Sequence, residues 1–71
     1  MLKADGFNGA IIGTASKCGS PDVLAYDVNK IISILMDRDG MTDEEAWEFY
    51  EFNILGSYVG ELTPIFIYPT I

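Results

Sequence analysis

The chain has 71 residues, of which 49% are apolar and 13% aromatic, and its net charge of −7 at pH 7 gives a pI of about 4.1. This acidity argues against nucleic acid or an anionic membrane as a direct ligand, because both would repel a negative surface. The sequence has no histidine and one cysteine, Cys18, which excludes Ser-His-Asp and Cys-His catalytic sites, an internal disulfide and a zinc site.

The size of the chain limits its architecture. We expect residues 1–71 to form a single domain that buries about 60% of its unfolded surface. So much apolar surface without a disulfide favours association with a second copy, most simply as a dimer. The first ten residues lack the features of a signal peptide, and no segment approaches the roughly 20 apolar residues that span a bilayer. We therefore expect a cytoplasmic protein that makes no membrane contact.

The first predicted strand covers residues 9–16, a run of small and apolar side chains interrupted by Gly9 and Gly13. A helix here would carry both glycines at a cost of about 1 kcal/mol each relative to alanine. We therefore favour a strand, although a helix over residues 9–17 that ends near Gly19 stays open.

A hairpin is predicted next. Residues 18–22 contain Gly, Ser, Pro and Asp, which favour turn conformations. Residues 23–26 are apolar and predict a second strand after this turn.

The first helix is predicted to start after Asp27, which caps it, and to end at Gly40, which adopts positive φ at little steric cost. Apolar residues recur at i, i+3, i+4, i+7 and i+8, as on one face of an amphipathic helix. The apolar face consists of Val28, Ile31, Ile32, Leu35 and Met36, and the polar face of Asn29, Lys30, Ser33 and Asp37.

The second helix is predicted to start after Thr42. Glu45 follows three residues later, so the two residues can form a capping box. The helix runs to about Leu55, and Gly56 ends it. Its buried stripe is predicted to contain Ala46, Phe49, Tyr50, Asn53 and Ile54.

The same helix is apolar on a second side. Trp47, Phe52 and Leu55 lie outside the buried stripe. A helix with an apolar face left over is a candidate interface helix. We expect this surface to be covered by a second copy through an isologous contact.

A last strand is predicted over residues 65–68, between Pro64 and Pro69. The fold class is therefore α+β, a small antiparallel sheet with a helical pair packed on one face, in the order β-β-α-α-β. The core is expected to include Ile31, Leu35, Tyr50 and Ile54.

Negative charge is concentrated in one segment, since seven of the eleven acidic residues lie between Asp37 and Glu51. Glu44, Glu48 and Glu51 recur at i, i+4 and i+7, which places them on one helical face. This face is either solvated or a docking stripe for the Lys and Arg side chains of a partner. The second interpretation includes mimicry of the phosphate charge of DNA.

One segment resembles part of a calcium loop, because Asp37 and Asp39 precede Gly40. When Gly40 is aligned with position six of the EF-hand loop, Leu35 and Ala46 take the first and last ligand positions, and neither can bind calcium. No Glu-x-x-His pair or phosphate-binding loop occurs either. The sequence predicts no catalytic, cofactor-binding or metal-ligating residue.

A resemblance covers nearly the whole chain. It is carried by Asp5-Gly6-Phe7, Ala10-Ile11-Ile12-Gly13, Cys18-Gly19-x-Pro21, Tyr26-Asp27, Leu35-Met36-x-x-Asp39-Gly40-Met41-Thr42-x-Glu44-Glu45-Ala46, Glu51-Phe52-Asn53, Gly56, Gly60-Glu61 and Thr63-Pro64. In these segments the chain resembles small uncharacterised proteins encoded by tailed bacteriophages, including cyanophages, and by prophages. The resemblance implies a phage origin, and hence the host cytoplasm, and it supplies no catalytic residue.

These features favour a non-enzymatic phage accessory protein that acts through protein–protein contact and associates with itself. One alternative is an acidic inhibitor or DNA mimic that binds a basic host protein. Another is a small enzyme that uses carboxylates or Cys18. The residues expected to contact a partner are Glu44, Glu48, Glu51, Trp47, Phe52 and Leu55.

Overall fold

The computed structural model describes residues 2–57, 60 and 62–70 and has the predicted α+β class and the predicted order β-β-α-α-β. Short 3-10 turns precede β1 and follow the second helix. The elements are β1 (Ile11–Ala15), β2 (Val23–Asp27), α1 (Val28–Asp39), α2 (Asp43–Phe49), a π-helical turn (Tyr50–Ile54) that continues α2, and β3 (Ile65–Ile67).

The sheet has the order β1-β2-β3 and is mixed, which corrects the prediction of a wholly antiparallel sheet. β1 and β2 are antiparallel, as expected for a hairpin, whereas β2 and β3 are parallel. The two helices carry the chain back along the sheet between β2 and β3, and such crossover connections join parallel strands. Tyr26, on the central strand, lies opposite Ile11 on one side and Phe66 on the other.

The ambiguity over residues 9–17 is resolved in favour of a strand. β1 starts at Ile11 rather than Gly9, because the Asn8–Ala10 segment forms a 3-10 turn. The ladder shifts register between Ile11 and Gly13, so one extra residue bulges from β1. That residue, Ile12, is 49% exposed.

The caps of α1 are those predicted from the sequence. The Asp27 side chain accepts a hydrogen bond from the backbone N–H of Lys30, and Gly40 ends the helix at a φ of 67°. Four of the five residues of the predicted apolar face are buried, whereas Met36 is exposed because it lies at the edge of that face.

The core lies between the helices and the Tyr26 side of the sheet. The prediction that Ile31, Leu35, Tyr50 and Ile54 are core residues is confirmed, since none is more than 5% exposed. The cluster also includes Tyr26 and three N-terminal residues that were not predicted, namely Ala4, Phe7 and Ala10.

The N-terminal segment is held to the core by two long-range contacts. The Tyr26 hydroxyl accepts a hydrogen bond from the Ala4 N–H at 2.8 Å. At the end of α1, Arg38 donates to the Gly6 carbonyl at 2.7 Å, and its guanidinium lies 5.0 Å from the ring centre of Phe7. These contacts complete the core from the N-terminal side. Within the described residues, no helix is both long enough and apolar enough to cross a membrane.

Candidate functional site

The start of α2 is fixed by a reciprocal capping box. The Thr42 N–H donates to Glu45 Oε1 at 2.9 Å, and the Glu45 N–H donates to Thr42 Oγ1 at 3.2 Å. The backbone donor at Thr42, followed by its hydroxyl, lowers the pKa of the Glu45 carboxyl. The cap was predicted from the sequence, and it fixes where the exposed side chains of α2 begin.

The helix changes from α to π geometry at Tyr50. The Leu55 N–H bonds to the Tyr50 carbonyl, five residues earlier. A π-turn holds more residues than an α-turn, so the side chains that follow are rotated relative to an α-helix. Tyr50 and Ile54 are both buried, and the residues between them are exposed.

Trp47 packs within the fold rather than projecting from it. Its ring stacks on Tyr68 at 6.5 Å with an interplanar angle of 12°, and it meets Tyr50 edge-on at 5.9 Å. Tyr50 in turn packs edge-on against Phe66 at 5.7 Å. These four rings, the aromatic cluster, join the second helix to β3 and the residue that follows it. The sequence predicted that Trp47 lies on the exposed apolar side of the helix. Helical spacing alone could not show that Trp47 contacts Tyr68, which is distant in the sequence.

The exposed apolar surface of this helix is centred on Phe52, which is 78% exposed. Phe49 is 36% exposed and lines a shallow groove with Phe52, of about 340 Å³. The groove is completed by Met41, Glu45, Glu48 and Asn53. Phe49 and Asn53 were predicted to face the core, and that prediction is wrong because the buried stripe is the narrower set Ala46, Tyr50 and Ile54.

The three predicted acidic residues lie on the same continuous helical segment as this aromatic surface. Glu44, Glu48 and Glu51 are exposed, and Glu48 lines the groove. Glu44 and Glu48 follow one another at i and i+4 within α2, which places them on one side of the helix. We name Phe49, Phe52 and these three glutamates the α2 face.

Leu55 is a further predicted contact residue, and Arg38 is the one base in the acidic segment 37–51. Leu55 is 41% exposed and follows Glu51 by four residues. Arg38 is bound to Asp39 at 3.0 Å, an interaction that raises the pKa of Arg38 and lowers that of Asp39. This base is therefore engaged at the end of α1 rather than with the carboxylates of α2.

The enzyme alternative would use carboxylates or Cys18, and the structure describes both kinds of group. They contain no group of three or more His, Cys, Asp or Glu side chains placed to hold a metal ion. Cys18 is exposed in the β1–β2 turn. The carboxyl pKa shifts resolved in this part of the chain, at Asp39 and Glu45, are both downward.

Comparison with protein-family models, with curated proteins and with solved structures gives no match. The resemblance of the sequence to phage proteins therefore stays a prediction.

Proposed function

We propose that this chain is a non-enzymatic protein that acts through protein–protein contact, and that the α2 face binds a basic partner. The observation that carries this proposal is the 78% exposure of Phe52 on a helix whose neighbouring side chains are carboxylates. Aromatic side chains are enriched at the centres of protein interfaces, where their burial supplies much of the binding energy. The glutamates around Phe52 supply charge complementarity to Lys and Arg side chains.

Electrostatics favour a basic partner over a second copy on this face. An isologous contact centred on Phe52 would place the same acidic surface of both copies in one interface. Like charges brought together in an interface disfavour association. A basic partner removes this repulsion and is also steered towards the negative surface. Proteins that bind nucleic acids are one class with such basic surfaces. A phage accessory role rests on the sequence resemblance alone.

Affinity capture with matched variants tests this proposal. The immobilised chain is exposed to a lysate of the cells in which the gene is expressed, at low and at high salt. We expect a basic protein to be captured at low salt and lost near 1 M salt, where the screening length falls to about 3 Å. The variant with Glu44→Gln and Glu48→Gln should lose capture. Its control carries Asp5→Asn and Asp37→Asn, which change the net charge equally at exposed acids outside α2.

The comparison of the two variants decides the outcome. Retention of binding by the control, with loss in the α2 variant, places the contact on the α2 face. Equal loss in both variants would mean that only overall charge matters, and this result would contradict the proposal.

Self-association is a second candidate property, and β3 favours it. In the described part of the chain β3 pairs with β2 alone, so its other edge is open. Ile65 and Ile67 are 44% and 37% exposed, and residues 62–70 carry no charged side chain. A two-fold axis at this edge would pair two uncharged β3 strands and cover Ile67.

A further inference from the structure

A second apolar region lies on the side of the sheet that faces away from the helices. Side chains alternate along a strand, so Val23 and Ala25 point away from the side occupied by Tyr26. Both are only 5% exposed, yet neither belongs to the main core cluster. Ile65 pairs with Ala25 in the ladder and lies on the same side.

A cavity of about 420 Å³ opens on this side of the sheet, at the end where the β1–β2 turn lies. Ala15, Val23 and Ile65 supply its apolar floor. Turn residues, including Lys17, line one part of it, and Thr63, just before β3, lines another. Its volume is in the usual range for small-molecule sites, about 300–1,000 Å³.

Two polar groups of the cavity point to the chemistry of a ligand. The Thr63 hydroxyl oxygen is buried and has no hydrogen-bond partner among the described residues. A buried hydroxyl without a partner is destabilising, and a bound molecule that bonds to it removes that cost. Lys17 is the one basic side chain among the described lining residues, and it forms no ion pair with any described residue. The acid of the same turn, Asp22, accepts a hydrogen bond from Ser16 at 2.7 Å.

We propose that this cavity binds a small apolar molecule that carries a single carboxylate. The apolar part lies over Val23 and Ile65, and the carboxylate accepts hydrogen bonds from the Lys17 ammonium and the Thr63 hydroxyl. Lysine supplies donors only, and a charge-assisted bond to a carboxylate is about twice as strong as a neutral one. The site is separate from the α2 face and does not depend on the function proposed for it.

Titration with two probes of equal chain length tests the site. Octanoate carries the carboxylate, and octanol replaces it with a neutral hydroxyl. Binding is followed by NMR through the methyl signals of Val23 and Ile65. We expect octanoate to shift these signals and to bind roughly tenfold more tightly than octanol, the ratio expected of one charge-assisted hydrogen bond.

Three variants assign the roles of the polar groups. Lys17→Met and Thr63→Val should each weaken octanoate binding, and Lys17→Met should leave octanol binding unchanged. Lys30→Met, which removes an exposed lysine from α1, is the matched control and should bind octanoate as the parent does. Equal affinities of the parent for octanoate and octanol would overturn the proposal. So would equal losses in the Lys17 and Lys30 variants, or methyl signals that neither probe shifts.

Discussion

The hydroxyl oxygens of Tyr50 and Tyr68 lie 2.6 Å apart, and this hydrogen bond ties the π-helical turn to the residue that follows β3. Tyr50 is fully buried, whereas Tyr68 is 51% exposed. The pKa of Tyr50 is raised well above its ordinary value of 10, mainly because the phenol is buried and also because it forms the hydrogen bond with Tyr68. The contact closes the aromatic cluster that positions the α2 face.

We predict an alkaline loss of stability that depends on Tyr50. Above about pH 10 the unfolded chain loses the Tyr50 proton and the folded chain keeps it, so the free energy of unfolding falls as pH rises. Urea denaturation from neutral pH to about pH 11 should show a smaller fall for Tyr50→Phe than for the parent. At neutral pH the variant should lose about 1 kcal/mol.

Tyr68→Phe is the control for this titration. It removes the same hydrogen bond and leaves the Tyr50 hydroxyl buried, so most of the alkaline fall should remain. Parallel pH profiles for the parent and Tyr50→Phe would show that the buried phenol does not control alkaline stability.

We predict that Leu35→Ala is strongly destabilising and that the neighbouring Met36→Ala is not. Leu35 is fully buried and Met36 is 38% exposed. The cavity left at Leu35 should cost about 2–5 kcal/mol, out of a total that is about 4–11 kcal/mol for this length. Met36→Ala should cost about 1 kcal/mol or less. Thermal melting measures both, and equal melting temperatures for the two variants would show that α1 is oriented differently.

We predict that Gly6→Ala costs more than Gly19→Ala because of Arg38. Both glycines have positive φ, at 88° and 81°. A Cβ at Gly6 would lie 2.9 Å from Arg38 Nη1, whereas nothing lies within 4 Å of one at Gly19. Both variants should pay a backbone penalty of about 1–2 kcal/mol for a Cβ at positive φ. In Gly6→Ala the added methyl group also displaces the Arg38 guanidinium from the Gly6 carbonyl, so this variant loses that hydrogen bond as well.

A double-mutant cycle isolates that further loss. In an Arg38→Ala background, the cost of Gly6→Ala should fall to that of Gly19→Ala, as measured by urea denaturation. An unchanged cost in that background would show that Arg38 does not hold the N-terminal segment.

We predict that the chain dimerises at micromolar concentration and that Ile67→Lys makes it monomeric. The new charge would lie on the uncharged β3 edge, where a second copy pairs. Ile12→Lys, on the opposite edge strand, is the control and should remain dimeric. Sedimentation velocity measures all three proteins, and a compact monomer for the parent would refute self-association.

The features that could be predicted from the sequence are local ones. The caps at Asp27, Gly40 and Thr42 follow from the hydrogen-bonding needs of helix ends, and the buried stripe of α1 follows from helical periodicity. The parallel pairing of β3 with β2 joins residues far apart in the sequence, so local sequence patterns could not predict it. The N-terminal residues of the core were missed for the same reason, because they depend on contacts with Arg38 and Tyr26.

The candidate site was predicted in part. Phe52 and the three glutamates are exposed, as expected. Trp47 and Phe49 exchange their predicted roles, because Trp47 packs on Tyr68 whereas Phe49 lines the groove. Helical spacing predicts the direction in which a side chain points. It does not predict which residues, distant in the sequence, pack against that side chain. The π-helical turn also changes that spacing after Phe49.

Photo-crosslinking from position 52 tests directly whether the α2 face binds a basic partner. A Phe52→p-benzoylphenylalanine variant, activated by light in a lysate at low salt, should form a covalent adduct with a basic protein. The yield should fall steeply at high salt because the surrounding carboxylates are screened. The control places the same photoreactive residue at Ile12, which is exposed on β1. We expect an adduct from position 52 that is absent from position 12. Equal adducts from both positions, or none from position 52, would show that the α2 face does not bind a basic partner.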